Sequence, residues 1–213
     1  MAIEFKNKNP EKGVTLIEII IAIVIMTTFS LIVIADFPKI KRQFAVSRAV
    51  YKVAQDIRKT EDLGFSGVQI TDGDSEVVET DGYGFYINTA ESDVIYIIYA
   101  DTDGGGGQNY SGGVSCDDEA GIGDGEDCIV EQINMQDSES EVYIKGVYGT
   151  DENGNESEIY GGSINFMPPN PTVLITSISN AEQKSMRIVL GIRSEPSMER
   201  SIYINSTGLV YVE

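Results

Sequence analysis

KGVTLIEIIIAIVIM, residues 12–26, sets one carboxylate, Glu18, near the start of an apolar run. From Val14 to Ala35, Glu18 is the only charged residue. As a helix that segment would reach roughly 33 Å, enough to cross the ~30 Å hydrocarbon layer of a bilayer. No comparable run follows it. An unpaired charge at the bilayer centre costs on the order of 3 kcal/mol or more, and a paired one much less. The stretch therefore predicts one membrane-spanning helix whose acid needs a cationic partner.

The residues before the run, MAIEFKNKNPEKG, are polar and mildly basic through Lys6, Lys8 and Lys12. A secretory signal would combine a shorter apolar region with a small-residue cleavage site behind it. Here the run is longer, holds an acid and ends at Asp36-Phe37-Pro38. The small residue sits in front of it, at Gly13.

This arrangement resembles the N-terminal methylation motif of type IV pilins and type II secretion pseudopilins. The resemblance covers about 25 residues. It implies cleavage after Gly13 by a prepilin peptidase, methylation of the new N-terminus at Val14, and a glutamate at the fifth mature position, Glu18. Val14 departs from the phenylalanine usual after the cut, with hydrophobicity kept. The resemblance also supplies the partner for the acid. Cleavage creates an ammonium on Val14, and the ammonium of a neighbouring subunit can meet Glu18 and fix the stagger between helices. The partners implied are the peptidase/methyltransferase, other pilin or pseudopilin subunits, an assembly platform protein and the cytoplasmic membrane. The other reading is a signal anchor whose Glu18 lies near the interface.

Charge is unevenly spread along the chain, whose formal net charge is −19. Lys39, Lys41, Arg42, Arg48, Lys52, Arg58 and Lys59 form a basic stretch interrupted only by Asp56. Beyond Thr60 the bases are Lys145, Lys184, Arg187, Arg193 and Arg200, among a large excess of acids. Such a head repels nucleic acid, so no nucleic-acid partner is expected. Flanking bases taken alone would leave the head in the cytoplasm. Large following domains translocate largely regardless of charge, and the motif directs the head outward. The expectation is a single-pass inner-membrane protein with an extracytoplasmic head.

The helix is expected to continue past the membrane. Val46, Val50, Val53 and Ile57 recur with helical spacing and form an apolar stripe. Pro38 should kink or loosen the helix, and Gly64 should stop it. Short β-rich stretches follow at 83–89, 94–100, 129–135, 141–148, 163–167, 172–178, 187–193, 201–205 and 209–212, separated by Gly, Asn and Asp clusters. The fold class expected is α+β: a long N-terminal transmembrane α-helix packed on an antiparallel β-sheet head. The divisions are a leader at 1–13, a membrane and filament-core helix at 14–36, an amphipathic continuation at 37–63 and a β-rich head at 64–213. This layout is similar to pilins and to minor pseudopilins of the H type.

Cys116 and Cys128 are the only cysteines, and the chain has no histidine. Their spacing excludes a CxxC motif, and no zinc set can be completed. A disulfide outside the cytoplasm fits, with two free thiols as the alternative. Between Ala100 and Cys128 runs ADTDGGGGQNYSGGVSCDDEAGIGDGEDC, rich in glycine and acid. Asp101, Asp103, Asp117 and Asp118 are candidate calcium ligands, since calcium takes 6–8 oxygens. The EF-hand pattern is broken at Gly105 and lacks its closing glutamate. The favoured reading is a solvated, flexible loop, with no cofactor required. Asn109, Asn155 and Asn205 begin N-x-S/T sequons, a pattern common by chance.

No HExxH, GxSxG or phosphate-binding loop occurs, so no enzyme is expected. The expected function is a prepilin-like subunit of a type IV pilus or a type II secretion pseudopilus. The rival is a membrane-anchored calcium-binding or adhesive module that never polymerises.

Overall fold

One helix, α1 (Leu16–Ser66), carries both the apolar run and the stripe. The computed structural model describes residues 13–71, 77–104, 109–117, 125–168 and 172–213. Leader residues 1–12 and Asp118 lie outside them. The chain divides into two compact units, one ending at Lys41 and one running from Arg42 to Glu213.

In the first unit every side chain from Gly13 to Lys41 is exposed. The hydroxyls of Thr27, Thr28 and Ser30 are satisfied within the helix itself. Thr27 Oγ1 donates to Ile23 O at 2.9 Å, Thr28 Oγ1 to Val24 O at 2.8 Å and Ser30 Oγ to Met26 O at 2.8 Å. Internal pairing of this kind is what a hydrocarbon environment demands. α1 continues through Pro38. Its ring removes one N–H donor, and the helical bonds of the flanking turns hold the segment.

In the second unit the stripe is buried as its spacing requires. Val46, Val50, Val53 and Ile57 are joined by Ala49, Ala54, Thr60 and Gly64. The helix runs past Gly64 and stops at Ser66. Gly67 adopts φ +60°, the left-handed conformation that favours glycine at a helix end. Gly64 matters for packing instead, because a Cβ there would lie 2.4 Å from the Phe166 carbonyl oxygen. Its missing side chain allows helix and sheet to approach closely.

The strands are β1 (Ile70–Thr71), β2 (Val77–Val78), β3 (Gly82–Asn88), β4 (Ile95–Asp101), β5 (Cys128–Asn134), β6 (Val142–Thr150), β7 (Glu156–Glu158), β8 (Gly161–Met167), β9 (Thr172–Ser177), β10 (Glu182–Gln183), β11 (Ser185–Ile192), β12 (Glu195–Asn205) and β13 (Val210–Val212). The stretches expected from the sequence correspond to β3, β4, β5, β6, β8, β9, β11, β12 and β13. The head contains two large sheets. One has the order β10-β9-β8-β3-β4-β5 and the other β13-β12-β11-β6-β7. β1 and β2 form a separate pair, and every strand pairing is antiparallel.

Both large sheets contribute to one core with the α1 stripe. Phe85, Tyr96, Ile98 and Phe166 come from the six-stranded sheet; Val142, Ile188, Leu190 and Ile202 come from the five-stranded sheet. Fully burying a side chain of this size stabilises by about 1.5–3 kcal/mol. Polar groups inside this core are paired. Tyr96 Oη donates to Asp56 Oδ2 at 2.5 Å, and Lys52 Nζ donates to both Asp56 oxygens.

The other face of the six-stranded sheet is covered too, by the segment expected to be a solvated loop. Tyr110 packs its ring 5.0 Å from that of Tyr86 and 5.1 Å from that of Tyr99. The Tyr110 N–H donates to Ser163 Oγ at 3.0 Å. Asn109 donates to Ser177 O and accepts from Thr176 Oγ1, so the sequon amide is held against β9. A run of glycine and acid reads as solvated from composition. Its one aromatic anchor and its amide change that outcome.

Candidate functional site

The N-terminal site begins outside the helix. Gly13 and Val14 are exposed and precede α1. Thr15 caps it: the Glu18 N–H donates to Thr15 O at 3.1 Å and lies 3.4 Å from Thr15 Oγ1, and the Ile19 N–H donates to Thr15 O. Thr15 and Glu18 thus stand in the T-x-x-E spacing of a capping box, a local signal that the sequence itself carries. It places Glu18 in the first helical turn, where the helix dipole favours negative charge by about 0.3–1 kcal/mol. Glu18 is exposed, so no described side chain of its own chain covers it.

The second site lies at the end of β4. Cys116 and Cys128 are joined in a disulfide with Cα atoms 4.9 Å apart. The chain around Cys116 is also tied to β5, with the Cys116 N–H donating to Ile129 O and the Ile129 N–H to Val114 O. In the β4–β5 ladder, Tyr99 pairs with Ile129 and Ala100 with Cys128. Continuing that register one step sets Asp101 opposite Asp127. Asp103 follows two residues after Asp101. The three carboxylates offer oxygens within 4.8 Å of one another.

The sequence pointed to Asp101 and Asp103 as candidate ligands, and these do come together. Asp117 does not join them; it is exposed beside the disulfide, with its N–H on Ser115 Oγ. Asp118 falls outside the described residues. The third member is Asp127, seen in the sequence only as part of an acidic crowd. The readable signal was its place directly before Cys128, but its partner is revealed only by the β4–β5 register.

Asp101 is 3% exposed and Asp127 1%. Asp127 is well supplied with donors: the Ser111 N–H reaches Oδ2 at 2.7 Å and the Thr102 N–H reaches Oδ1 at 3.3 Å. Asp101 is not. Neither of its carboxyl oxygens receives a hydrogen bond from any described residue. Burial, then the facing carboxylates of Asp127 and Asp103, push the Asp101 carboxyl up to about 7. Burial also raises Asp127, against the lowering effect of its backbone donors. The site can accept a proton or a cation.

Comparison with known families gives one result. The family described as the prokaryotic N-terminal methylation motif matches residues 8–34. The chain carries the prepilin-type methylation motif. It is followed by a long apolar helix, an arrangement consistent with a type IV pilin or pseudopilin. The motif supports a pilin or pseudopilin-type subunit and points to a structural role rather than an enzyme. It implies processing by prepilin peptidase and assembly with other pilin subunits, and with the apolar helix it suggests membrane anchoring. No curated protein and no solved structure matches the chain.

Proposed function

We propose that this chain is a prepilin-like structural subunit of a type IV pilus or a type II secretion pseudopilus. Prepilin peptidase cuts it after Gly13. The methylated Val14 ammonium of one subunit pairs with Glu18 of its neighbour. The apolar half of α1 anchors the precursor in the cytoplasmic membrane, with the head outside, and an assembly platform protein adds it to the filament. The observation carrying this reading is the methylation motif at residues 8–34, leading into a helix whose apolar side chains from Leu16 to Ile40 are left uncovered. Exposed apolar surface of that extent belongs in lipid or against other helices.

Other features support the outward orientation and the absence of nucleic acid. The disulfide suits an oxidising compartment. Bases of the α1 stripe region are matched to head acids: Arg42 to Glu141, Arg48 to Glu139 and Lys59 to Glu131. These contacts blunt the basic stretch as a phosphate-binding surface. Exposed pairs of this kind add only about 0–1 kcal/mol each to stability.

The test has two parts. The N-terminal mass of the native protein should correspond to a methylated species beginning at Val14; an intact Met1 overturns processing. Glu18→Gln should leave membrane insertion intact and abolish incorporation into filaments. Unchanged filament assembly would favour the rival, a membrane-anchored adhesive or calcium-binding module that does not polymerise.

A further inference from the structure

Asp101 and Asp127 form an arrangement that a sheet ordinarily avoids. Like charges directly opposite each other across an antiparallel pair are destabilising. Here both are buried, which adds the cost of removing carboxylates from water. The charges acting most strongly on Asp101 are the carboxylates of Asp127, Asp103 and Asp81. Asp127 at least has backbone donors. The two Asp101 oxygens have none among the described residues, although the side chain is 3% exposed. A hydrogen bond between the Asp101 and Asp103 carboxyls would need a proton on one of them.

We propose that Asp101, Asp103 and Asp127 bind a hard divalent cation, calcium in the first instance, which clamps the disulfide-bearing segment to the end of β4. Three carboxylates supply up to six oxygen ligands of the class calcium prefers. Opposed ligands of calcium at 2.3–2.6 Å stand about 4.6–5.2 Å apart, a span comparable to the 4.8 Å within which these oxygens gather. Magnesium draws its ligands closer, to about 2.0–2.1 Å, and keeps more of its water. A bound cation would satisfy the Asp101 oxygens and relieve the facing charges.

The cation would also act on the surrounding segment. Asp127 is bonded to the N–H groups of Ser111 and Thr102, and Ser111 directly follows Tyr110. Gly113 makes this crossing possible, since a Cβ there would fall 1.6 Å from the Asp127 carbonyl oxygen. Holding Asp127 against Asp101 therefore holds the Tyr110 anchor on the sheet. The proposal does not rest on filament assembly, so it can fail while the subunit reading stands.

The experiment uses the full chain in detergent micelles, stripped with EDTA. Calcium and magnesium are titrated separately, with equilibrium dialysis reporting binding and heat unfolding reporting stability. Calcium should bind at one site per chain and raise the unfolding midpoint by several degrees, as a ligand selective for the native state does. Asp101→Asn and Asp127→Asn should each weaken calcium binding by about ten-fold or more. If either fails to fold, Asp103→Asn, at the half-buried rim, should show the same weakening. Absence of calcium binding at millimolar concentration, or unchanged affinity in the folded variants, overturns the site. Tighter binding of magnesium than of calcium overturns the choice of ion.

Discussion

Tyr96 on β4 donates its phenolic hydrogen to the Asp56 carboxylate on α1 across 2.5 Å, inside the core. Sheet and helix are thus joined by a polar contact surrounded by apolar packing. Burial, reinforced by the Asp56 charge, raises the Tyr96 hydroxyl well above the ordinary phenol range, so it remains a donor at any working pH.

Tyr96→Phe leaves a buried Asp56 with Lys52 as its remaining side-chain donor. The expected loss is about 1.5–3 kcal/mol, that of a hydrogen bond to a charged acceptor. Urea denaturation of the full chain in detergent checks it. A change below about 0.5 kcal/mol would mean that the hydrogen bond adds nothing to burial.

Gly64→Ala should be more damaging than a glycine-to-alanine change in a helix normally is. Helix propensity alone would favour alanine by about 1 kcal/mol. The added Cβ would instead meet Phe166 O at 2.4 Å and Phe166 Cβ at 2.6 Å, forcing α1 away from β8. Net destabilisation of about 1–3 kcal/mol is expected. Gly13→Ala, with open space around it, should not affect head stability.

Replacing both Cys116 and Cys128 by serine frees a closure of 12 residues in sequence separation. Loop-closure entropy predicts a loss of about 3 kcal/mol. The comparison is wild type against the double variant, by chemical denaturation without reductant.

The pH dependence of the EDTA-treated protein follows from Asp101. Its carboxyl titrates near 7 in the fold and near 3.9 in an unfolded chain. Between those values the native state holds a proton that the unfolded state has released, so stability falls as pH rises. The decline should run from about pH 4 to about pH 7 and level off above. Denaturation midpoints of wild type and Asp101→Asn, compared at pH 5 and pH 8, isolate this contribution. Equal pH dependence in the two proteins would contradict it.

The two ends of this architecture were legible in the sequence to different degrees. The apolar run and the Val46–Ile57 stripe were readable because each obeys a simple rule, continuous hydrophobicity or a helical period. Nine strands were readable because turn residues separate their β-prone stretches, whereas the two- and three-residue β1, β2, β7 and β10 were too short to stand out. The division into two sheets was not readable, since alternation shows which face a residue takes and not which strand lies beside it. Gly64 and Gly67 illustrate the same limit. Both suit a helix end on composition, and only the proximity of Phe166 shows that Gly64 serves close packing. The acidic cluster was half legible. Asp101 and Asp103 share a strand-like alternation, whereas Asp127 joins them through pairing across a long connection.

The chain has no tryptophan, so its near-ultraviolet optical signals come chiefly from tyrosine. Tyr110 stands between Tyr86 and Tyr99, with centroid separations of 5.0 and 5.1 Å. Aromatic chromophores at such distances couple, and their circular dichroism depends on mutual orientation. The protein therefore carries a native optical gauge of whether its disulfide-bearing segment is seated, readable without any attached dye.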